Sequence, residues 1–287
     1  MEIAIHLGAH CTDGDLLLRS LGENRAALLE RGVAVPLPGR ARPAIRQALT
    51  QARDGRLPEA ARHDLVDALL GDTDADRIVL SHEGFLGAYA RVLDEGRLYR
   101  EAGVRARLLR ALFADHEVSF LIGLRNPAAF IPALFEASTL DDFAAFAGPF
   151  ADAPPSWAVP LRDIAEAGAP VTAWCNEDLP LLWPEILREA AGVSERLDGE
   201  DAILRDVMSA SGFARYETYL RDNPPPTAAH GRRVATAFLA KYARPEALVE
   251  EIAQPGWDAE VVARLSAAYE ADLPEVARIP GVRLLTP

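Results

Sequence analysis

Apolar residues in this chain gather into short runs, separated by longer stretches in which they recur every three or four positions. Ile3 to Leu7 is the first run, and Val33-Ala34-Val35, Arg77 to Leu80, Val118 to Leu124 and Pro170 to Cys175 follow it. Between the first two, Leu17, Leu21 and Leu28 fall at helical spacing in a stretch from Asp13 to about Glu30, and Gly32 is placed to stop that helix. Strands that are apolar along their length and separated by helices predict a three-layer α/β fold, with a mostly parallel sheet covered on both faces. The carboxyl third has a different pattern. Glu200 to Met208, Phe213 to Leu220, Ala228 to Tyr242 and Ala259 to Asp272 read as helices, and Pro224-Pro225-Pro226 is a rigid break between two of them. Val234, Phe238 and Tyr242 are spaced by four and share a face. The chain is therefore expected to be one domain over residues 1–287, with a helical part from about 196 to 287 packed on the sheet. Pro149 to Pro155 reads as a loop, and no internal repeat occurs.

Polar residues follow the apolar runs directly: His6, His10 and Thr12 around the first, then Ser81-His82-Glu83, Arg125-Asn126 and Asn176-Glu177-Asp178. If the strands are parallel, these groups share one edge of the sheet, where open α/β folds place their ligands. Glu83 is then the best placed acid or base; alternatively it and Gly84 simply start a helix running to about Leu93. Arg125 could clamp a phosphate or pair with Asp13 or Asp15, and Pro127 suits the first turn of the next helix. Thr12-Asp13-Gly14-Asp15 reads as a capping box with Thr12 as N-cap and Asp15 three residues on. His6, His10, Cys11, Asp13 and Asp15, with His82 and Glu83, are also metal-ligand types, although their spacing matches no standard short motif. His10 could equally anchor the loop through its ring nitrogens. Cys175 reads as a small buried hydrophobe.

Composition narrows the function classes. Apolar residues make up 49% of 287, enough for a packed core. A formal net charge of -13 gives an averaged field that repels nucleic acid and anionic membranes, so a nucleic-acid partner is not expected. No stretch approaches the uncharged apolar length of a membrane span, and no leader-like run precedes the first strand; a cytoplasmic location is the expectation. The two cysteines, Cys11 and Cys175, lie far apart, which suits a reducing compartment. Of the 30 basic residues all but Lys241 are arginine, so a phosphate loop near the amino terminus has to work without lysine.

The run His6-Leu7-Gly8-Ala9-His10-Cys11-Thr12-Asp13-Gly14-Asp15, with Asn24 after it, resembles the phosphate loop of bacterial sulfotransferases, HxGxHKTGTTxLQ. Gly123-Leu124-Arg125-Asn126-Pro127-Ala128-Ala129-Phe130 is similar to that family's strand-then-Arg-x-Pro element, whose arginine contacts the 3'-phosphate of the donor. The resemblance implies a P-loop NTPase-like, sulfotransferase-like fold. It also implies transfer of a sulfuryl group from 3'-phosphoadenosine 5'-phosphosulfate to an acceptor hydroxyl, with carbohydrate as the acceptor class. On this reading Gly8, Thr12, Gly14 and Arg125 would hold the cofactor, joined by the basic element Arg232-Arg233, which otherwise reads as a solvated helix face. His10, His82 and Glu83 would serve catalysis. The chain departs from the pattern at Cys11, where the lysine belongs, at Asp13-Gly14-Asp15, where the family has Gly-Thr-Thr, and at Ala133, where it usually has serine. Two alternatives follow from these departures: a noncatalytic binding or assembly module that keeps the fold as a pseudoenzyme, and a metal-dependent hydrolase.

Overall fold

The structure, a computed structural model, describes residues 1–52, 56–94, 96–248 and 254–287, except for the side chains of 151 and 152. Among the described residues eight strands form: β1 (Glu2–His6), β2 (Val33–Ala34), β3 (Arg77–Ser81), β4 (Leu93–Asp94), β5 (Arg97–Leu98), β6 (Glu117–Leu124), β7 (Val171–Cys175) and β8 (Val282–Leu285). Six of them make one sheet in the order β2-β3-β1-β6-β7-β8, and every pairing in it is parallel. The short antiparallel pair β4-β5 stands apart. The four main apolar runs therefore form the centre of the sheet. The edge strand β8, Val282-Arg283-Leu284-Leu285, was not foreseen from the sequence: it is only four residues long and carries an arginine.

Burial on both faces explains why these runs are continuously apolar. Ala4, Val79, Leu121 and Trp174 point to one face, where Leu17 and Leu21 of the helix Leu16–Glu23 and Leu182, Trp183 and Ile186 of the helix Leu179–Ala191 cover them. Ile3, Ile5, Leu80, Phe120 and Ile122 point to the other face, against side chains that include Ile45, Leu109, Trp157 and Val276. The arrangement is three-layered, as the pattern predicts.

The carboxyl third is largely helical, but it divides between the two sides of the molecule. Ala202–Val207, Ala210–Asp222 and Ala228–Tyr242 build a small core of their own from Leu204, Met208, Phe213, Tyr216, Val234 and Ala235. Ala259–Ala277 instead packs Val261 and Leu265 against Ile131 and Phe143, and contributes Tyr269 and Val276 to the main core. The three prolines fall between Asp222 and Ala228, where the chain leaves one helix for the next. Two expectations are corrected. Residues 143–152 form a helix that tolerates Pro149 inside it, because Phe143, Ala147 and Phe150 bury one face. Glu83 begins only a short 3-10 turn to Leu86, which ends at Gly87 with φ 129, a conformation that suits glycine and stops the helix well before Leu93. Among the described residues no helix is long and apolar enough to cross a membrane.

Ile5 lies at the centre of the sheet and is fully buried, whereas Val104 is about half exposed. Ile5→Ala is expected to lower unfolding stability by about 2–5 kcal/mol, and Val104→Ala by less than about 0.5 kcal/mol, as read from urea denaturation.

Candidate functional site

Because all six strands run the same way, the segments after β1, β3, β6 and β7 emerge at one edge. β1 leads away to β2, while its neighbour β6 leads to β7 on the opposite side, so the strand order reverses between them, the position at which open α/β sheets place their ligands. The two strands stay paired beyond His6. Leu7 N–H donates to Leu121 O at 2.8 Å, Gly123 N–H to Gly8 O at 2.7 Å and Ala9 N–H to Gly123 O at 3.3 Å. Glycine suits position 8 because its φ is 97, and a Cβ there would crowd Glu83, at 3.1 Å from its Cα and 3.2 Å from its Cβ. The first candidate base is thereby packed directly on the loop.

The turn into the first helix is built differently from the capping box expected. Thr12 O–H donates back to Ala9 O at 2.6 Å, so its hydroxyl folds the loop and does not cap the helix. Gly14 and Asp15 both take left-handed φ values, 54 and 62, which delays the helix to Leu16. Asp13 closes the end instead: its backbone carbonyl accepts Leu16 N–H and its Oδ2 accepts Leu17 N–H, both at 2.9 Å. A carboxylate thus sits at the positive end of the helix. Asp15 does not cap; it accepts two hydrogen bonds from Arg42 Nη2, at 3.1 and 3.2 Å. Arg42 comes from the helix Pro38–Gln51 and was not foreseen as a site residue.

Arg125 is directed at the same loop, where its guanidinium donates to the Cys11 carbonyl. Of the two carboxylates considered as partners for Arg125, Asp13 and Asp15, the second pairs with Arg42. Asn126 caps the helix Pro127–Glu136 by accepting Ala128 N–H at 2.9 Å, with Pro127 in the first turn as anticipated. Its N–H donates to Glu177 Oε1 at 2.7 Å, while Tyr269 O–H donates to Glu177 Oε2 at 3.2 Å. Glu177 is therefore a tie between the β6 and β7 loops. Cys175 is buried, which pushes its thiol up to about 11 and keeps it protonated at neutral pH.

Two of the three histidines at the loop, His6 and His10, make ring hydrogen bonds. His10 N–H donates to Tyr99 Oη at 2.9 Å, and the Tyr99 hydroxyl lies 2.8 Å from His10 Nδ1. With Tyr99 Oη accepting from the backbone, its proton is free to go to Nδ1. Burial lowers the pKa of His10, against the opposing field of Glu83. The Tyr89 ring meets His10 edge-on at 4.6 Å, and the Tyr89 hydroxyl donates to Glu83 Oε1 at 2.8 Å. His6 is buried, stacks on Trp174 at 5.7 Å, and places Nδ1 2.8 Å from Ser81 Oγ. Burial lowers its pKa, against the opposing fields of Asp13, Asp15 and Glu83. Burial, then Arg42, lowers that of His82.

Gly8, His10, Thr12, Gly14, His82, Glu83 and Arg125 are thus gathered around one loop. Arg232 and Arg233 are placed elsewhere. Arg232 pairs with Glu185 at 2.7 Å and lines a cavity to which residues 7–15 contribute nothing, while Arg233 is exposed. Among the described residues no group of three or more His, Cys, Asp or Glu is arranged to hold a metal ion. No protein-family model, curated protein or solved structure matches the chain.

The burial of neutral imidazoles has a pH signature. The folded pKa values of His6, His10 and His82 lie below the unfolded value of about 6.5, so acidification protonates the unfolded chain first. Their stabilising contribution is complete above that pH and is lost as pH falls toward the folded values. The urea midpoint is expected to drop between about pH 7.5 and pH 5.5, and to drop less in His10→Gln. Identical pH dependence in the two proteins would exclude His10 as a source.

Proposed function

We propose that this chain is a sulfotransferase-like protein whose phosphate loop is held closed, and that it works as a noncatalytic binding or assembly module. The observation that carries this reading is the Asp13 carboxylate on Leu17 N–H, at the position a bound anion would need. Two unit charges about 4 Å apart repel by about 4 kcal/mol at an effective dielectric of about 20, equivalent to roughly a thousandfold in affinity. Cys11, in place of the loop lysine, supplies no charge to offset that repulsion. Arg42 and Arg125 are nearby, but the first is committed to Asp15 and the second donates to the Cys11 carbonyl. The strand-loop-helix arrangement from β1 through Gly8 to Leu16 supports the likeness to a phosphate loop. The carboxylate supports the reading that the loop is shut.

Calorimetric titration with 3'-phosphoadenosine 5'-phosphate tests this directly. Wild type is expected to show no binding at millimolar ligand, and a Cys11→Lys, Asp13→Thr, Asp15→Thr variant is expected to gain at least about tenfold in affinity. Micromolar binding by wild type would overturn the module reading.

A second reading, sulfuryl transfer to a carbohydrate hydroxyl, is favoured by one observation. Glu83 packs on Gly8 with its Oε1 fixed by Tyr89, which orients the carboxylate beside the loop. In that reaction Glu83 would take the acceptor proton, and His10, bonded to Tyr99 through its N–H and Nδ1, would hold the loop in shape. Glu83→Gln is then expected to abolish transfer of labelled sulfuryl from donor to acceptor while leaving the melting temperature within about 2 °C. Unchanged transfer would remove Glu83 as the base.

A further inference from the structure

Away from the loop, a cavity of about 590 Å³ lies between the helix Leu179–Ala191 and the helical hairpin Ala210–Asp222/Ala228–Tyr242, with Arg196 to Leu204 beneath it. Its volume falls in the range of small-molecule sites. Its walls are of two kinds. Leu181, Pro184, Leu204 and Leu220 supply apolar surface, whereas four guanidiniums and four carboxylates supply charge in equal numbers. Three pairs form within the lining, while Arg221 and Glu217 pair with Asp222 and Arg205 outside it. Arg232 on the hairpin reaches Glu185 on the facing helix at 2.7 Å, and Arg188 holds Glu200 at 3.1 Å. Glu200 is 4% exposed and also accepts Leu197 N–H at 2.9 Å, so it is a built feature of the floor and not a surface charge. Arg196 pairs with Asp201 beside it.

This lining selects for a particular ligand charge. A ligand with net charge would leave one charge without a counterpart in a half-enclosed space, which costs more than the contacts return. A ligand carrying both signs can enter an existing ion pair in series, its anion taking the guanidinium and its cation the carboxylate. The apolar walls add a reward for a hydrocarbon body in proportion to the area they cover. A sugar is less well served, because the one aromatic ring in the lining, Tyr216, already packs against Phe213 at 6.1 Å and Phe238 at 5.4 Å.

We propose that this cavity binds a free α-amino acid with an apolar side chain, its carboxylate on Arg232, its ammonium on Glu185 and its side chain against Leu181, Leu204 and Leu220. The proposal does not depend on the loop, so it stands or falls separately from the closed-loop reading. It would give a binding module its small-molecule ligand.

The test uses the full chain. The common L-amino acids are screened by thermal shift, together with N-acetyl-leucine and leucine amide, which each lack one of the two charges, and with glucose and 3'-phosphoadenosine 5'-phosphate. Leucine, methionine or phenylalanine at about a hundredfold its dissociation constant is expected to raise the melting temperature by about 5 °C, and the two singly charged derivatives are expected to give no shift. In calorimetry Arg232→Gln is expected to weaken the binding at least tenfold. The apo melting temperature should change little, since the pair it breaks is partly solvent-exposed. The ligand-side comparison does not depend on whether that variant folds. No shift with any amino acid, equal shifts with the derivatives, or undiminished binding by a folded Arg232→Gln protein would overturn the proposal. A shift with the nucleotide that depends on Arg232 would also overturn it, and would assign the arginine to the phosphate instead.

Discussion

The pairing of β1 with a parallel neighbour on each side is the constraint on which the site depends. β3 registers His6 against Ser81, so β1 and β3 end together, and β6 registers it against Leu121 and runs on to Leu124. The ladder with β6 then continues through Gly8 and Ala9 to Gly123, which fixes the first residues of the loop as firmly as the strand itself. Gly8 can therefore be approached by Glu83, and the next residues must reverse direction within a few positions to enter the helix at Leu16. Much of the local chemistry serves that reversal: Thr12 bonds back to Ala9, His10 is locked onto Tyr99, and left-handed residues stand at Cys11, Gly14 and Asp15.

A loop of this kind collects backbone N–H groups at a helix end, where an anion is stabilised. Here the chain supplies its own anion. The exchange favours folding, since the carboxylate satisfies a helix N–H and complements the dipole without recruiting a ligand. It also sets a threshold for any external phosphate or sulfate, which must displace a tethered competitor present at high effective concentration as well as meet the repulsion of Asp15 and Glu83. Arg42 moderates the Asp15 charge from a helix that has no other part in the loop. Burial disfavours the charged form of His6 and His10, and partial burial together with Arg42 does the same for the half-buried His82.

The central sheet could be read from the chain because its information is local. Continuous apolar runs such as Val118 to Leu124 occur where both faces are covered, and the polar residues that follow each run mark the ends of parallel strands. The start of the first helix misled for an equally local reason. Thr12-Asp13-Gly14-Asp15 satisfies the pattern of a capping box, and no one-dimensional signal shows that Gly14 and Asp15 turn left-handed or that the Thr12 hydroxyl is taken by Ala9. Arg42 and Tyr99 were invisible for a different reason. Each reaches the loop from an element many residues away, on an arginine-rich helix and after a two-residue strand, and neither has a periodicity that distinguishes it from its neighbours. Arg232 shows the converse: a basic pair at a helix start looked available for phosphate, but its partner Glu185 lies on a helix that the sequence pattern did not connect to it.

The preference for arginine over lysine also has a structural expression. A guanidinium can hold a carboxylate and one or more main-chain carbonyls from a single side chain, and this protein uses it that way. Arg77 pairs with Glu2 while donating to the carbonyls of Glu189 and Ala190, so one residue fastens the start of β3 to the end of the helix Leu179–Ala191. Arg25 closes on Val35 O, Arg19 on Gly14 O and Arg125 on Cys11 O. Lysine, a point charge with a flexible stem, serves such planar multi-donor contacts less well, but it is the residue that follows a moving phosphate most easily. Placed around the loop, arginines act as fasteners: they hold its carbonyls and its carboxylates in position. Arg19 and Arg125 hold main-chain carbonyls of the loop and Arg42 holds the Asp15 carboxylate, so three guanidiniums fix the path of the chain between β1 and its first helix.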